Sequence, residues 1–218
     1  MSDPDAALRP AEGFVDAEVA AEFPGLRLQW ATVAARRRPS PPSVVRSLGQ
    51  VSNRYWGGSV VAMRTKPVPQ AYRAFFRQIG LDPDVQRIPS ERAALARLVQ
   101  GGFRSVDLVA DACLISLIET GVPVTALDAD RVDAAGLGIR PTGPGESERA
   151  GTDRGQLESG TFVVADRATI HAPLFGDPRA GHSPGWATER VALYTIGVDG
   201  VPAIHLEEAL WIALELLA

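Results

Sequence analysis

The sequence predicts an α+β protein. Helical segments crowd the chain up to Thr120, short alternating apolar segments follow, and no regular β-α alternation links the two. At 218 residues, with 45% hydrophobic and 22% charged, the chain is long enough to bury one sizeable core.

Residues 1–12 are rich in Ala, Asp and Pro and read as a disordered tail; 13–218 read as one domain. Ala17 to Phe23 reads as a short helix stopped by Pro24-Gly25, and Leu26 to Val33 alternates like a strand. An exposed basic loop, Arg36 to Pro42, leads into a helix from Ser43 to about Asn53. Trp56 and a break at Pro67 and Pro69 follow. Gln70 to Ile79 then places Tyr72, Phe75, Phe76 and Ile79 at helical spacing and ends at Gly80. The next helix takes Ser90 as its N-cap and closes at Gly101-Gly102; Val106 to Thr120 forms a more apolar one, ended by Gly121 and Pro123. Strands are expected at 124–127, 137–140, 161–165, 169–172 and 191–196, with a turn at Asp166-Arg167. Residues 141–160 read as a polar loop and 204–217 as a terminal helix.

No run of 18 apolar residues exists, and the acidic N-terminus carries no apolar segment. One cysteine, Cys113, excludes an internal disulfide framework and a zinc site of several thiolates. A soluble, cytoplasmic protein without membrane contact is expected. Charge is distributed unevenly. Between Leu26 and Leu81 there is no Asp or Glu, yet ten positive charges stand there, and from Ser105 onward seven arginines face seventeen acids. Such asymmetry suggests a polyanion-binding face, or merely a solvated basic surface.

Gly181-His182-Ser183-Pro184-Gly185 matches G-x-S-x-G, with Asp199 and His205 in hydrolase order. Pro184 rules the elbow out, because the residue after the serine must donate its N–H to the oxyanion. Asp107 and Asp111 share a helix face, where they would polarise water, hold a divalent ion or simply favour a helix N-terminus. Cys113 reads as a buried thiol. His171, His182 and His205 lack metal-ligand spacing, and no Walker loop, dinucleotide fingerprint or H-E-x-x-H is present, so neither metal nor cofactor is expected.

The segment Phe103-Arg104-Ser105-Val106-Asp107-Leu108-Val109-Ala110-Asp111 resembles one found in the B3/B4 domain of the bacterial phenylalanyl-tRNA synthetase β subunit. The resemblance continues through Glu119, Gly121, Pro123, Ala126, Asp128 and Arg131-Val132. Tyr72 to Arg77, Gly80 to Pro83, Arg87 to Glu91, Phe14 to Asp16 and Phe23 to Arg27 are closer to freestanding B3/B4 proteins. Thr161 to Asp166 and Thr188 with Val191 to Leu193 fit the later strands. In all, the likeness spans roughly 14–200.

This resemblance implies packed β-sheets flanked by helices, and a factor that hydrolyses the ester of a mischarged aminoacyl-tRNA in trans, as a possible monomer. An aminoacyl ester is already activated, so positioned water and oxyanion donors would supply much of the acceleration, with a tRNA hydroxyl helping to orient the water. The family's usual His is Thr125 here, its central-helix Asn is Leu114, and its tyrosine-recognising Glu falls near Ala180-Gly181, so tyrosine specificity does not carry over. The resemblance makes Thr125 and His182 candidate catalytic residues, His182 by orienting water, and Asp107, Asp111, Asp177, Arg179 and Ser183 candidate substrate contacts. Arg36, Arg37, Arg38, Arg46, Arg54, Arg64, Lys66, Arg73 and Arg77 would meet tRNA phosphates, unless some pair with the acidic second half inside the fold. The rival readings are a non-catalytic tRNA-binding module and a binder of a free amino acid or other small molecule.

Overall fold

The computed structural model describes residues 10–133, 136–143, 146, 157 and 159–218. Two four-stranded sheets form the frame. In the first, β1 (Ala11–Glu12), β3 (Arg27–Ala34), β8 (Arg190–Gly197) and β4 (Val124–Asp128) lie side by side, all antiparallel. In the second, β2 (Phe14–Val15) runs parallel to β5 (Gly138–Pro141), and β6 (Phe162–Ala165) and β7 (Ile170–Pro173) continue antiparallel. The expectation of an α+β fold with packed sheets and flanking helices holds.

Residues 1–9 of the expected tail lie outside the described residues. Ala11 and Glu12, at its end, instead pair with Trp30 and Gln29 of β3. The chain then crosses to the second sheet at Gly13, whose N–H donates to Leu28 O while Phe14 N–H donates to Leu137 O. A Cβ at Gly13 would stand 2.5 Å from Leu137 O and 2.6 Å from Leu28 Cδ2, so only glycine fits this crossing.

The helices are α1 (Ala17–Glu22), α2 (Pro42–Arg54), α3 (Gly57–Met63), α4 (Pro67–Gln78), α5 (Pro89–Gln100), α6 (Leu108–Thr120) and α7 (Ala203–Leu217). Several boundaries depart from the sequence reading. The proline cluster expected to break the chain starts α4, because Pro67 occupies the first turn, where no N–H is needed. Likewise Pro89 opens α5 and Ile88 is its N-cap, so Ser90 is a buried helical residue rather than a cap. Gly101 and Gly121 do terminate α5 and α6 in left-handed geometry. Helix α3 was not expected; Gly57-Gly58 at its start carries little helical signal.

The core forms where α6 and α7 pack on each other and on the first sheet. In β8 only Arg190 is exposed, because neighbours flank it on both edges and helices cover its face. Ser116 donates to Ala209 O at 2.6 Å and ties α6 to α7; Tyr72 donates to Ile196 O at 2.8 Å and ties α4 to β8. The rings of Phe23, Tyr72, Phe75, Phe76, Phe162 and Phe175 form a second apolar joint beneath the second sheet.

Arg73 illustrates how charge is stored inside. It is buried, its Nη1 reaches both Glu91 oxygens at 2.9 and 3.0 Å, and its Nη2 reaches Asp84 at 2.8 Å. Such a residue is not available to a phosphate. Removing one partner of a buried pair strands the other, so Arg73→Ala should lower stability by about 3 kcal/mol. Urea denaturation checks this. A loss below about 1 kcal/mol would mean that the pair behaves like an exposed one.

Candidate active site

A cavity of about 780 Å³ opens between α5, α6, β4 and the 175–184 loop. Its walls are largely apolar, with Val109, Leu117, Val124, Phe175 and Ile196 among them, and its volume suits a small organic group. The polar lining is sparse: Arg37, Arg92, Asp107, Thr125, Asp177, Ser183 and Tyr194. Asp107, Thr125, Asp177 and Ser183, four of the residues expected at the site, thus share one wall system.

Register explains the position of Thr125. It pairs with Tyr194 across β4 and β8, so the two side chains share one face of the sheet, and both line the cavity. Burial raises the Tyr194 phenol well above its ordinary pKa, so it remains a neutral hydrogen-bonding group. Cys113 also lines the cavity, but burial pushes its thiol up to about 12, which removes it as a nucleophile.

Asp107 lines the cavity and Asp111 lies behind it, and both carry bonds of the fold. Asp111 is almost fully enclosed and does not line the cavity; it accepts from Ser40 Oγ at 2.6 Å, from Val106 N–H at 3.0 Å and from Ser105 Oγ. Asp107 is the N-cap of α6, accepting from Ala110 N–H at 3.0 Å, and its other oxygen takes Arg37 Nε–H at 2.8 Å. Both carboxylates are occupied by the fold, and among the described residues no cluster of three His, Cys, Asp or Glu residues could hold a metal.

His182 and Arg179 stand in the cavity loop but not on the cavity wall. Arg179 donates to Ile170 O through Nη1 and to His171 O through its backbone N–H. His182 Nδ1 lies 2.9 Å from His171 Nδ1, and His171 Nε2 lies 3.0 Å from Asp166 Oδ2. Sequence reading missed this Asp166–His171–His182 chain. The only local signal was a histidine inside an otherwise apolar strand, just after the Asp166 turn.

Burial alone would raise the Asp166 carboxyl, but N–H groups of Ala168, Asp133, His171 and Thr169 hold it below its ordinary pKa. A carboxylate only accepts, so His171 carries a proton on Nε2, and one further proton joins the facing Nδ1 atoms of His171 and His182. His182 O also accepts from Asp128 N–H at 2.9 Å, and Asp128 Oδ2 accepts from Thr188 Oγ1 at 2.8 Å. His182 therefore pins the loop that carries Asp177 and Ser183 to β4 and β7.

The basic residues divide into two sets. Arg36 pairs with Glu189, Arg37 with Asp107, Arg54 with Glu119, and Arg64 with Asp84 and Glu91. With Arg73, these cations of the acid-free segment meet acids from later in the chain. Arg38, Arg46, Lys66 and Arg77 are exposed and form no salt bridge among the described residues.

No family model matches the chain. A phenylalanine–tRNA ligase beta subunit from Gloeobacter violaceus is 32% identical over a 149-residue alignment covering 56% of this chain. The alignment takes in 19% of that relative, so the chain spans under a fifth of its length. The likeness is distant and concerns a part of the larger protein. No helix among the described residues is long and apolar enough to cross a membrane.

Burial, with smaller contributions from His171, Arg179 and Arg131, lowers the His182 pKa below its ordinary value. The unfolded chain therefore holds a proton there, near pH 6.5 and below, that the folded protein refuses. The contribution is complete above that pH and is lost as pH falls through the folded value. Between pH 7.5 and 5.5 the urea midpoint should drop, and the drop should shrink in His182→Asn, whose amide can donate to or accept from His171. An equal drop in both proteins would dissociate His182 from the effect.

Proposed function

We propose that the protein is an ester hydrolase that removes the amino acid from a mischarged aminoacyl-tRNA. The observation that carries this reading is the cavity, which gathers Thr125, Asp177 and Ser183 around a largely apolar space roomy enough for an amino-acid side chain and the ester it hangs from. The distant likeness to a phenylalanine–tRNA ligase beta subunit supports a tRNA-linked substrate.

In this reading the side chain of the wrong amino acid enters between α6 and β4. Asp177, on the opposing loop, takes the substrate's ammonium group. Thr125, beside Tyr194 on the sheet, and Ser183 donate toward the ester carbonyl as negative charge develops on its oxygen. Water adds to that carbon, the bond to the ribose oxygen breaks, and free amino acid and tRNA leave. Because the ester is activated, water oriented by the neighbouring ribose hydroxyl suffices as nucleophile. His182 acts as a positioning residue, since it holds the loop without lining the cavity. Arg38, Arg46, Lys66 and Arg77 remain to meet the tRNA backbone.

One observation favours the rival reading of a binding module: no histidine lines the cavity among the described residues, and its thiol is held protonated. A panel of correctly and wrongly charged tRNAs separates the two. The hydrolase reading expects selective ester loss above the spontaneous rate for one mispair. Thr125→Ala should then lower kcat about 100-fold, as loss of an oxyanion donor does, and Asp177→Asn should raise KM by about tenfold. Background decay of every ester, with tRNA still bound, would establish the binding module instead.

A further inference from the structure

We infer that Arg37 and Trp186 form a receptor for a nucleoside monophosphate at the mouth of the cavity, one that seats the terminal nucleotide of the RNA; this rests on the reading of the cavity as an aminoacyl-ester site. Arg37 is fixed on two sides. Its Nε–H donates to Asp107 Oδ2 at 2.8 Å, and its guanidinium lies 4.9 Å from the centre of the Trp186 ring. Asp107 is itself immobile, being buried and spent on the first turn of α6.

This arrangement leaves one edge of the guanidinium in reserve. Among the described residues nothing hydrogen-bonds to Arg37 Nη1 or Nη2, although Arg37 lines the cavity. Two parallel N–H donors on a planar, oriented group match a phosphate or carboxylate bidentately. The pairing with Asp107 orients the group through Nε without occupying that fork. Arg92 lines the same cavity from α5 and adds positive charge.

Trp186 identifies the rest of the ligand. Arg37 covers one face of the indole, yet the residue is 68% exposed, so a second face is open. An open indole beside an oriented cation suits a flat π system joined to an anion, and a nucleotide supplies both at this spacing. A free amino-acid carboxylate would use Arg37 alone and leave Trp186 without a role.

The test uses the full chain with adenosine 5′-monophosphate, adenosine and inorganic phosphate as probes, read by tryptophan fluorescence and calorimetry. The monophosphate should bind more tightly than either fragment and quench a signal that is missing in Trp186→Phe. Arg37→Lys, which cannot hold Asp107 and offer a fork at once, should weaken monophosphate binding at least tenfold. Trp186→Ala should weaken it about tenfold while weakening inorganic phosphate far less, since Asp107 still orients Arg37. Thermal melting confirms that both variants fold, and Trp186→Phe provides a conservative second variant. Equal affinity of the monophosphate for wild type and Arg37→Lys, or phosphate binding as tightly as the nucleotide, would overturn the receptor. The two readings fail separately: charged-tRNA hydrolysis that is indifferent to Arg37→Lys removes the receptor alone. Monophosphate binding that needs Arg37, without hydrolysis of any charged tRNA, removes the hydrolase alone.

Discussion

Asp107 and Asp111 stand one helical turn apart at the start of α6, each almost without solvent. A carboxylate in such a place must be fully hydrogen-bonded, because an unpaired buried charge costs several kcal/mol. Both are satisfied by neighbours that would otherwise be a loose loop. Asp111 takes the hydroxyls of Ser40 and Ser105 and the N–H of Val106, Asp107 takes Arg37, and Leu108 N–H donates to Arg38 O. The basic segment that leaves β3 is thereby fastened to the helix that forms a wall of the cavity. Without those two carboxylates, Arg37 would be one more solvated arginine.

A second fastening acts from the other side. The 175–184 loop begins at Phe175, the one described non-glycine residue with positive φ (57°), which is wedged among Tyr72, Phe75 and Phe76. Packing of that ring offsets a backbone conformation that phenylalanine rarely adopts. The loop ends under the Asp166–His171–His182 chain and the Asp128–Thr188 bond. Between these anchors lie Asp177 and Ser183. The cavity is thus framed by loops held with buried polar groups against a rigid sheet, a construction suited to positioning a substrate.

Local patterns in the sequence were enough for the long elements. Alternation at 26–33 marks β3, a nearly unbroken apolar run at 191–196 marks the fully covered β8, and Tyr72, Phe75, Phe76 and Ile79 mark α4, because burial on one face or on both shapes the order of the residues themselves. Strands β1 and β2, two residues each, are too short to show a period and exist through their partners. The family likeness pointed to Thr125, Asp177 and Ser183, which line the cavity, and to Asp111 and His182, which lie off its wall. What no local pattern carries is who meets whom across the fold. His171 gains meaning only beside His182 and Asp166, and no local pattern tells which arginines of the acid-free segment pair with acids, as Arg36, Arg54, Arg64 and Arg73 do.

The central claim is that one cavity receives an amino-acid side chain while its mouth holds the nucleotide. The most direct measurement is a crystal structure with a non-hydrolysable aminoacyl-adenosine analogue, in which an amide replaces the ester and a 5′-phosphate is retained. The account predicts the side chain between α6 and β4, the amide carbonyl toward Thr125 and Ser183, and the phosphate on Arg37 with the base on Trp186. An analogue bound elsewhere, or one seated with its amino-acid side chain outside the cavity, would contradict it.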